Sequence, residues 1–384
     1  MSSTSKYPSK KSKVDEGLQE SITFVKTYIL TLSDDVLLII CSYLDPLALL
    51  SLSQTCSRLH RVCADKTLWK QVDARQHALT INSLKKFTYY IQSNTTFLAI
   101  KGPVDTCHSN SNDSISKWFL NVITKHAPQL SCLILENHVI DSVKVTLEDF
   151  PPSIEHLEIR NCIMKNLSLR RSYFYRMEKT LPKLKKLDLS CNRWFVPHSL
   201  LALSKSETLE TLILAGCDVS DCLPYASLAA NFGFSALQLL DLRKTCVSDI
   251  ELTCFNRTAT LRHLYLCASE PELAEAQVTD FSITTFGGGS RDGQGPLNME
   301  EGIIIIQVGS YPRPVCKLET LVVKNYPGIT DVTLRHAASS MKHLKYLDVT
   351  GTGCSEAGIL DFKKNRPDVQ IVPDIIAGEH INNS

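Results

Sequence analysis

Four carboxylates recur at one position of a repeated string. In L-x-x-L-x-L, the residue between the last two apolar positions is Glu158, Asp188, Asp241 or Asp348 in four of eight copies. The remaining copies carry Ile134, Ile213, Tyr265 and Val322 there. His156, Arg160, Lys186, Leu239, Arg243, His263, Lys324 and Tyr346 flank this column. Side chains alternate along a strand, so a strand at each copy would gather column and flanks onto one surface. Carboxylates in a row beside an aromatic anchor, Tyr265, suit recognition of a segment carrying Lys or Arg. The candidate substrate contacts are Glu158, Asp188, Asp241, Arg243, Tyr265 and Tyr346. The plainer alternative is that these charges only keep a sheet soluble and discourage edge pairing.

Catalytic chemistry finds no comparable pattern. The sequence has no Gly-x-Ser-x-Gly elbow, no His-Glu-x-x-His pair and no Gly-rich loop ending in Gly-Lys-Ser/Thr. No residue is therefore assigned as acid, base or nucleophile, and no cofactor is expected. The fourteen cysteines include no C-x-x-C pair, so no metal site of the usual zinc spacing is expected. A net charge of +1 creates no field for nucleic acid or an anionic membrane. No apolar run reaches the roughly 20 residues that a bilayer span requires. The N-terminal residues are polar and lysine-bearing, without the apolar stretch of a secretory signal. A reduced cytosolic or nuclear compartment is the expectation, with most cysteines acting as small buried hydrophobes.

The elements that would position the column are the repeats themselves. The string starts at Leu130, Ile154, Leu184, Leu209, Leu237, Leu261, Leu318 and Leu344. Spacing is about 24–30 residues except for one double-length gap, which is the leucine-rich-repeat range. A single unit cannot bury its L-x-L face, so units must stack into a curved solenoid. Cys162, Asn192 and Cys217 come after their strings at the turn, where a side chain can satisfy backbone groups. Helix starts are signalled at Ser220-Asp221, Ser248-Asp249 and Thr330-Asp331, with a capping box between Ser248 and Glu251. Further strands are expected at Trp69–Asp73, Phe97–Lys101 and Val369–Val372, and a helix near Asn82–Gln92. Cys107–Asp113 reads as a polar loop. The gap from Ala268 to Cys316 includes Gly287–Gly295, a flexible composition; it either hides a repeat with its strand at Ile303–Val308 or is a surface excursion.

Ahead of the repeats lies a short helical unit too apolar to stand alone. From Val36 to Leu44 every residue but Ser42 is apolar or aromatic, and a unit this small cannot cover all faces of such a helix. Ser33 caps it, with Asp34 and Asp35 in the first turn, and Asp45-Pro46 starts the next helix. A partner is implied.

This segment resembles an F-box, through Leu32, Asp35, Val36, Leu37, Ile40, Tyr43, Leu44, Asp45, Pro46, Leu49, Leu50, Cys56, Arg58 and Leu68-Trp69. Most members have Leu-Pro where this chain has Leu32-Ser33; serine can still cap the helix. The repeats resemble the cysteine-containing type usual in F-box/leucine-rich-repeat proteins. The resemblance implies an α/β chain: a three-helix F-box over 28–75 and a curved solenoid over 76–375, with a flexible insertion at about 268–316 and polar tails at 1–27 and 376–384. It implies that Leu32, Val36, Leu37, Ile40, Leu44, Pro46, Leu49 and Leu50 bind a Skp-type adaptor. Cullin and RING subunits would join through that adaptor, and the repeats would hold a protein substrate for ubiquitination. No catalysis would reside in this chain, which would act by proximity. Lys10, Lys11 and Lys13 form either a short nuclear signal or a solvated arm. A leucine-rich scaffold acting outside any ligase is the other functional class.

Overall fold

A computed structural model describes residues 28–103, 114–168, 170–219, 233–268, 278–286 and 315–373, together with Tyr225, Leu228 and Ala229. The lysine-bearing tail, Cys107–Asp113, Ser220-Asp221, Gly287–Gly295, Ile303–Val308 and the C-terminal tail lie outside the described residues.

Three helices open the chain: α1 (Asp34–Ser42), α2 (Pro46–Ser53) and α3 (Ser57–Cys63). Ser33 Oγ accepts from the Val36 amide at 3.4 Å, so serine performs the capping at α1. Asp45 Oδ1 accepts from the Leu47 and Ala48 amides at 2.9 and 3.1 Å, and Pro46 occupies the first position of α2. The small core of this unit contains Leu37, Cys41, Leu49, Leu50, Leu59 and Val62. Arg58 ties the preceding turn to α3, donating to the carbonyls of Leu30 and Leu32 and to Asp34 Oδ1. Those donors from Arg58, with help from Arg61, hold the Asp34 carboxyl below the usual range.

Trp69 joins the helical unit to the repeats. It is fully buried, donates Nε1–H to the Cys63 carbonyl at 2.6 Å and stacks on Tyr90 with ring centroids 4.6 Å apart. Tyr90 OH in turn meets Ser53 Oγ at 2.8 Å. One continuous apolar core therefore runs from α1 into the repeats, and the two parts are held in fixed relation.

Among the described residues the strands are β1 (Gln71–Ala78), β2 (Phe97–Lys101), β3 (Cys132–Glu136), β4 (Val139–Asp141), β5 (His156–Arg160), β6 (Ile163–Lys165), β7 (Lys186–Asp188), β8 (Thr211–Ile213), β9 (Leu239–Asp241), β10 (His263–Cys267), β11 (Thr320–Lys324), β12 (Tyr346–Asp348) and β13 (Gln370–Val372). Eleven of them form one parallel sheet in chain order, and β4 pairs with β6 in a separate two-stranded sheet. Strands sit about 4.8 Å apart whereas helices with side chains are about 10 Å wide. Helices behind the sheet therefore splay the repeats and leave the strands on the inner face.

Register places the expected column in one row: Ile134, Glu158, Asp188, Ile213, Asp241, Tyr265, Val322 and Asp348 are successive partners across the sheet. The alternating leucines point the other way and are buried, for example Leu187, Leu212, Leu240 and Leu264. β10 pairs directly with β11, Leu264 opposite Leu321, so no strand of a hidden repeat intervenes between them. Within the expected insertion, Asp280–Ile283 is the helix of the β10 repeat.

Seven of the eight turns after the strings are built on one plan. The residue two beyond the string adopts a left-handed backbone at Asn137, Asn161, Cys191, Gly216, Lys244, Asn325 and Gly351. Its amide reaches a carbonyl of the next repeat, as from Asn161 to Ser190 at 2.9 Å and from Lys244 to Cys267 at 2.7 Å. Asn and Gly tolerate this conformation; for other residues it costs roughly 1–2 kcal/mol. One residue further on, a buried side chain serves the turn backbone. Asn192 does so with three hydrogen bonds, while Cys217 and Thr245 donate to the Leu189 and Leu242 carbonyls at 3.0 and 2.6 Å.

The helix starts are linked by a second ladder. The aspartate after each cap accepts from the cap of the next repeat: Asp249 from Thr279, Asp280 from Thr330, and Asp331 from Ser355, through both backbone amide and hydroxyl. Ser248 and Glu251 form the expected capping box.

His138 occupies the buried turn position of its own repeat, with Nδ1 3.0 Å from Ser114 Oγ. Burial pushes its pKa down to about 3, against a smaller opposing contact with the Ile100 backbone. The folded value lies below the unfolded one of about 6.5, so the unfolded chain takes up the proton first. This residue's contribution is complete above the unfolded pKa and declines as pH falls toward the folded one. From pH 7 to pH 5 the protein should lose about 2 kcal/mol more than a His138→Asn variant, read from denaturant midpoints at the two pH values. Parallel pH profiles for the two proteins would contradict the assignment of a neutral buried imidazole.

Candidate interaction surfaces

Two surfaces emerge, one on the helical unit and one on the strand face. On the first, helical periodicity places Val36, Ile39 and Tyr43 along one side of α1, all exposed; Ile39 is 59% and Tyr43 85% accessible. Tyr28, Ile29 and Leu30, in the turn that Arg58 anchors, are also exposed. A groove of about 740 Å³ borders the stripe, lined by Leu38, Ile39, Tyr43, Leu44, Pro46 and Leu68. So much exposed apolar surface on one small unit marks an interaction site.

The expected adaptor set is only partly at this surface. Val36 is exposed, and Leu32, Ile40, Leu44 and Pro46 are half-buried. Leu37 and Leu50 are corrected: they are buried at 1% and 5% in the core between the helices and offer no face to a partner, while Leu49, 3% exposed, reaches the surface only as part of the groove lining. Ile39, Tyr28, Ile29 and Leu30 are at the surface although sequence reasoning does not select them. The i, i+3, i+7 spacing of Val36, Ile39 and Tyr43 is the signal that could have found the stripe.

On the strand face the acidic column is corrected as well. Glu158, Asp188, Asp241 and Asp348 lie at the expected register but are buried, at 4%, 2%, 3% and 2% accessibility. Each is covered by a cation whose longer side chain folds over it. Glu158 pairs with Arg160 at 2.8 Å and Lys186 at 2.7 Å, and Arg160 also meets Asp188 at 2.8 Å. Asp241 pairs with Arg243 at 2.6 Å and Asp348 with Lys324 at 2.7 Å. Ser190 and Thr350 donate both amide and hydroxyl to Asp188 and Asp348. Burial alone would raise the Asp348 pKa, but Lys324 and Thr350 outweigh it and hold the carboxyl below its usual range. A Lys- or Arg-bearing segment would have to displace these partners, so the carboxylates act as anchors for the cations above them.

What faces outward is therefore basic and aromatic. Arg243 lies 5.5 Å from the Tyr265 ring centroid, a cation–π distance, and Tyr346 OH donates to Asp348 at 3.3 Å. Arg243, Tyr265 and Tyr346 of the expected contacts line a hollow of about 750 Å³ together with Lys244 and Lys324. Lys244 is not among the expected contacts, because its strained turn conformation is invisible in the sequence.

Known proteins are similar to parts of this chain. A family model described as F-box-like matches residues 32–75. F-box/LRR-repeat protein 12 of Homo sapiens is 26% identical over 186 residues, covering 48% of this chain and 55% of that protein. Its counterpart in Mus musculus is 25% identical over the same shares. The match thus spans about half the length of each of these curated relatives. An internalin of Listeria monocytogenes is similar in structure with a TM-score of 0.46 and 12% identity, covering 78% of this chain and 72% of that one. The helical unit that matches as F-box-like runs through Trp69 into a parallel sheet of leucine-rich repeats, a layout similar to that named in the F-box/LRR-repeat relatives.

Proposed function

We propose that the chain is the substrate-recognition subunit of an SCF-type ubiquitin ligase, working in the cytosol or nucleus. Its F-box would dock on a Skp-type adaptor, and through it on cullin and RING subunits, while the inner strand face holds a protein substrate. The observation that carries this reading is the exposed apolar stripe of α1, with Tyr28, Ile29 and Leu30 beside it, on an F-box-like unit. F-box/leucine-rich-repeat proteins are in general non-catalytic, and the chain's contribution would be geometric. The core around Trp69 holds docking and capture surfaces in fixed relation, which keeps a bound substrate's lysines at high local concentration near the charged conjugating enzyme. The test is affinity purification of the tagged full chain from cells. Adaptor, cullin and RING subunit should co-purify, and adding the conjugating machinery should ubiquitinate co-captured protein. Recovery of adaptor without cullin would point to a scaffold outside the ligase, and recovery of neither would end this reading.

A further inference from the structure

We infer that the hollow across β9–β12 captures an acidic segment of the substrate, seating an Asp or Glu carboxylate against Lys244 and its neighbouring side chains against Tyr265 and Tyr346. The inference rests on the reading of the strand face as the capture surface and names the chemistry that face takes.

Three observations converge on it. The hollow, about 750 Å³, is lined by Arg243, Lys244, Lys324, Tyr265 and Tyr346, with Asp348 at its floor. The carboxylates are withdrawn while their cations stay accessible: the Arg243 and Lys324 side chains are 51% and 40% exposed above Asp241 and Asp348 at 4% and 2%. An incoming chain therefore meets N–H donors and ring faces rather than anions. Lys244 is the third. It is exposed and has no ion-pair partner among the described residues, so against Asp241 and Asp348 the hollow carries one positive charge in excess. Lys244 also holds the left-handed turn at φ 56°, a place that Asn137, Asn161, Gly216, Asn325 and Gly351 fill with residues suited to it and that Cys191 shares.

One uncommitted cation matches one carboxylate. A phosphate dianion would call for more, since Arg243 already spends two nitrogens on Asp241. A polyanionic nucleic acid is disfavoured by the chain's net charge of only +1. The two tyrosines stand on β10 and β12, with β11 between them, and suit apolar or aromatic residues on either side of the acidic one.

The probe is a fluorescently labelled random glutamate–tyrosine copolymer, followed by anisotropy against the purified full chain. Binding is expected, and it should weaken as salt rises from about 50 to 300 mM. Lys244→Asn should weaken it about fivefold, as loss of one accessible charge contact. Lys244→Glu should weaken it by about twentyfold or more, since repulsion is added. Lys244→Asn places in the turn a residue that three other repeats already use there, so loss of folding would not account for its effect. Tighter binding of polylysine, of a phosphoserine peptide in a Gly-Ser background or of polyuridylate than of the copolymer overturns the inference. So does equal copolymer binding by parent and both variants. Adaptor capture is measured on the same proteins. If the copolymer behaves as expected but no adaptor is captured, the ligase reading falls and the site stands; if adaptor is captured and the variants bind like the parent, the site falls alone.

Discussion

Replacing Ile39 by Asp and Tyr43 by Ala together should reduce capture of a Skp-type adaptor by at least about a hundredfold while leaving thermal stability within about 0.5 kcal/mol of the parent. Both side chains are exposed in the free chain, at 59% and 85%, so their loss removes nothing from the F-box core. At a docked surface each would bury its apolar area, worth about 1.5–3 kcal/mol for a large side chain, and the aspartate adds a desolvation cost. Leu37→Ala should behave in the opposite way. Leu37 is 1% exposed between α1 and its neighbours, so truncation should cost about 2–5 kcal/mol of stability and weaken capture only by populating unfolded F-box. Pull-down at matched concentrations, with circular dichroism on the same preparations, separates the two outcomes. Full capture by the Ile39/Tyr43 variant would show that the partner approaches from another face.

The contrast between Ile39 and Leu37 also shows where the sequence stops being readable. The repeats are legible because burial of L-x-L imposes a strict spacing, and their strands appear where that spacing puts them; the last strand falls at Gln370–Val372, while the entry strand, expected at Trp69–Asp73, runs from Gln71 to Ala78. Helix α1 has no such pattern. It is apolar on nearly every side, as is α2, so only the i, i+3, i+7 spacing of Val36, Ile39 and Tyr43 marks an outward side, and reading from sequence puts Leu37 on α1 and Leu50 on α2 on the wrong side. On the strand face the column itself is legible, but its electrostatics are not. Whether Asp348 is free or covered depends on Lys324 of the neighbouring strand, and that cross-strand partner is known only once the register is known. The aspartate ladder through Asp249, Asp280 and Asp331 escapes for the same reason. Each looks like a first-turn residue of its own helix, whereas its acceptor oxygens serve the next repeat's cap.

Asn192→Ala should be among the most damaging single changes in the solenoid, at about 3–5 kcal/mol. Asn192 is fully buried, and its amide group fills both roles at once. Oδ1 accepts from the Cys162 amide at 2.8 Å; Nδ2–H₂ donates to the carbonyls of Ile159 at 2.6 Å and Leu189 at 2.8 Å. Alanine leaves three backbone groups without this partner, at a typical penalty of about 1–3 kcal/mol each, offset in part by any water that enters. Asn192→Cys should be milder, at about 1–3 kcal/mol, because a thiol can still donate to one carbonyl, as Cys217 does to Leu189 at 3.0 Å. Urea midpoints for the three proteins should rank parent, cysteine, alanine. Equal midpoints would mean that the turn backbone is satisfied elsewhere. Repeat proteins are stabilised by nearest-neighbour interfaces, so the damage should concentrate where Asn192 bridges β5 to β7. Hydrogen exchange should therefore rise first in residues 156–192 of the alanine variant, ahead of β11–β13. The inner face is continuous only while consecutive repeats stay in register, and a break at this seam would separate Arg160 and Lys186 from the hollow around Lys244 while leaving the F-box folded.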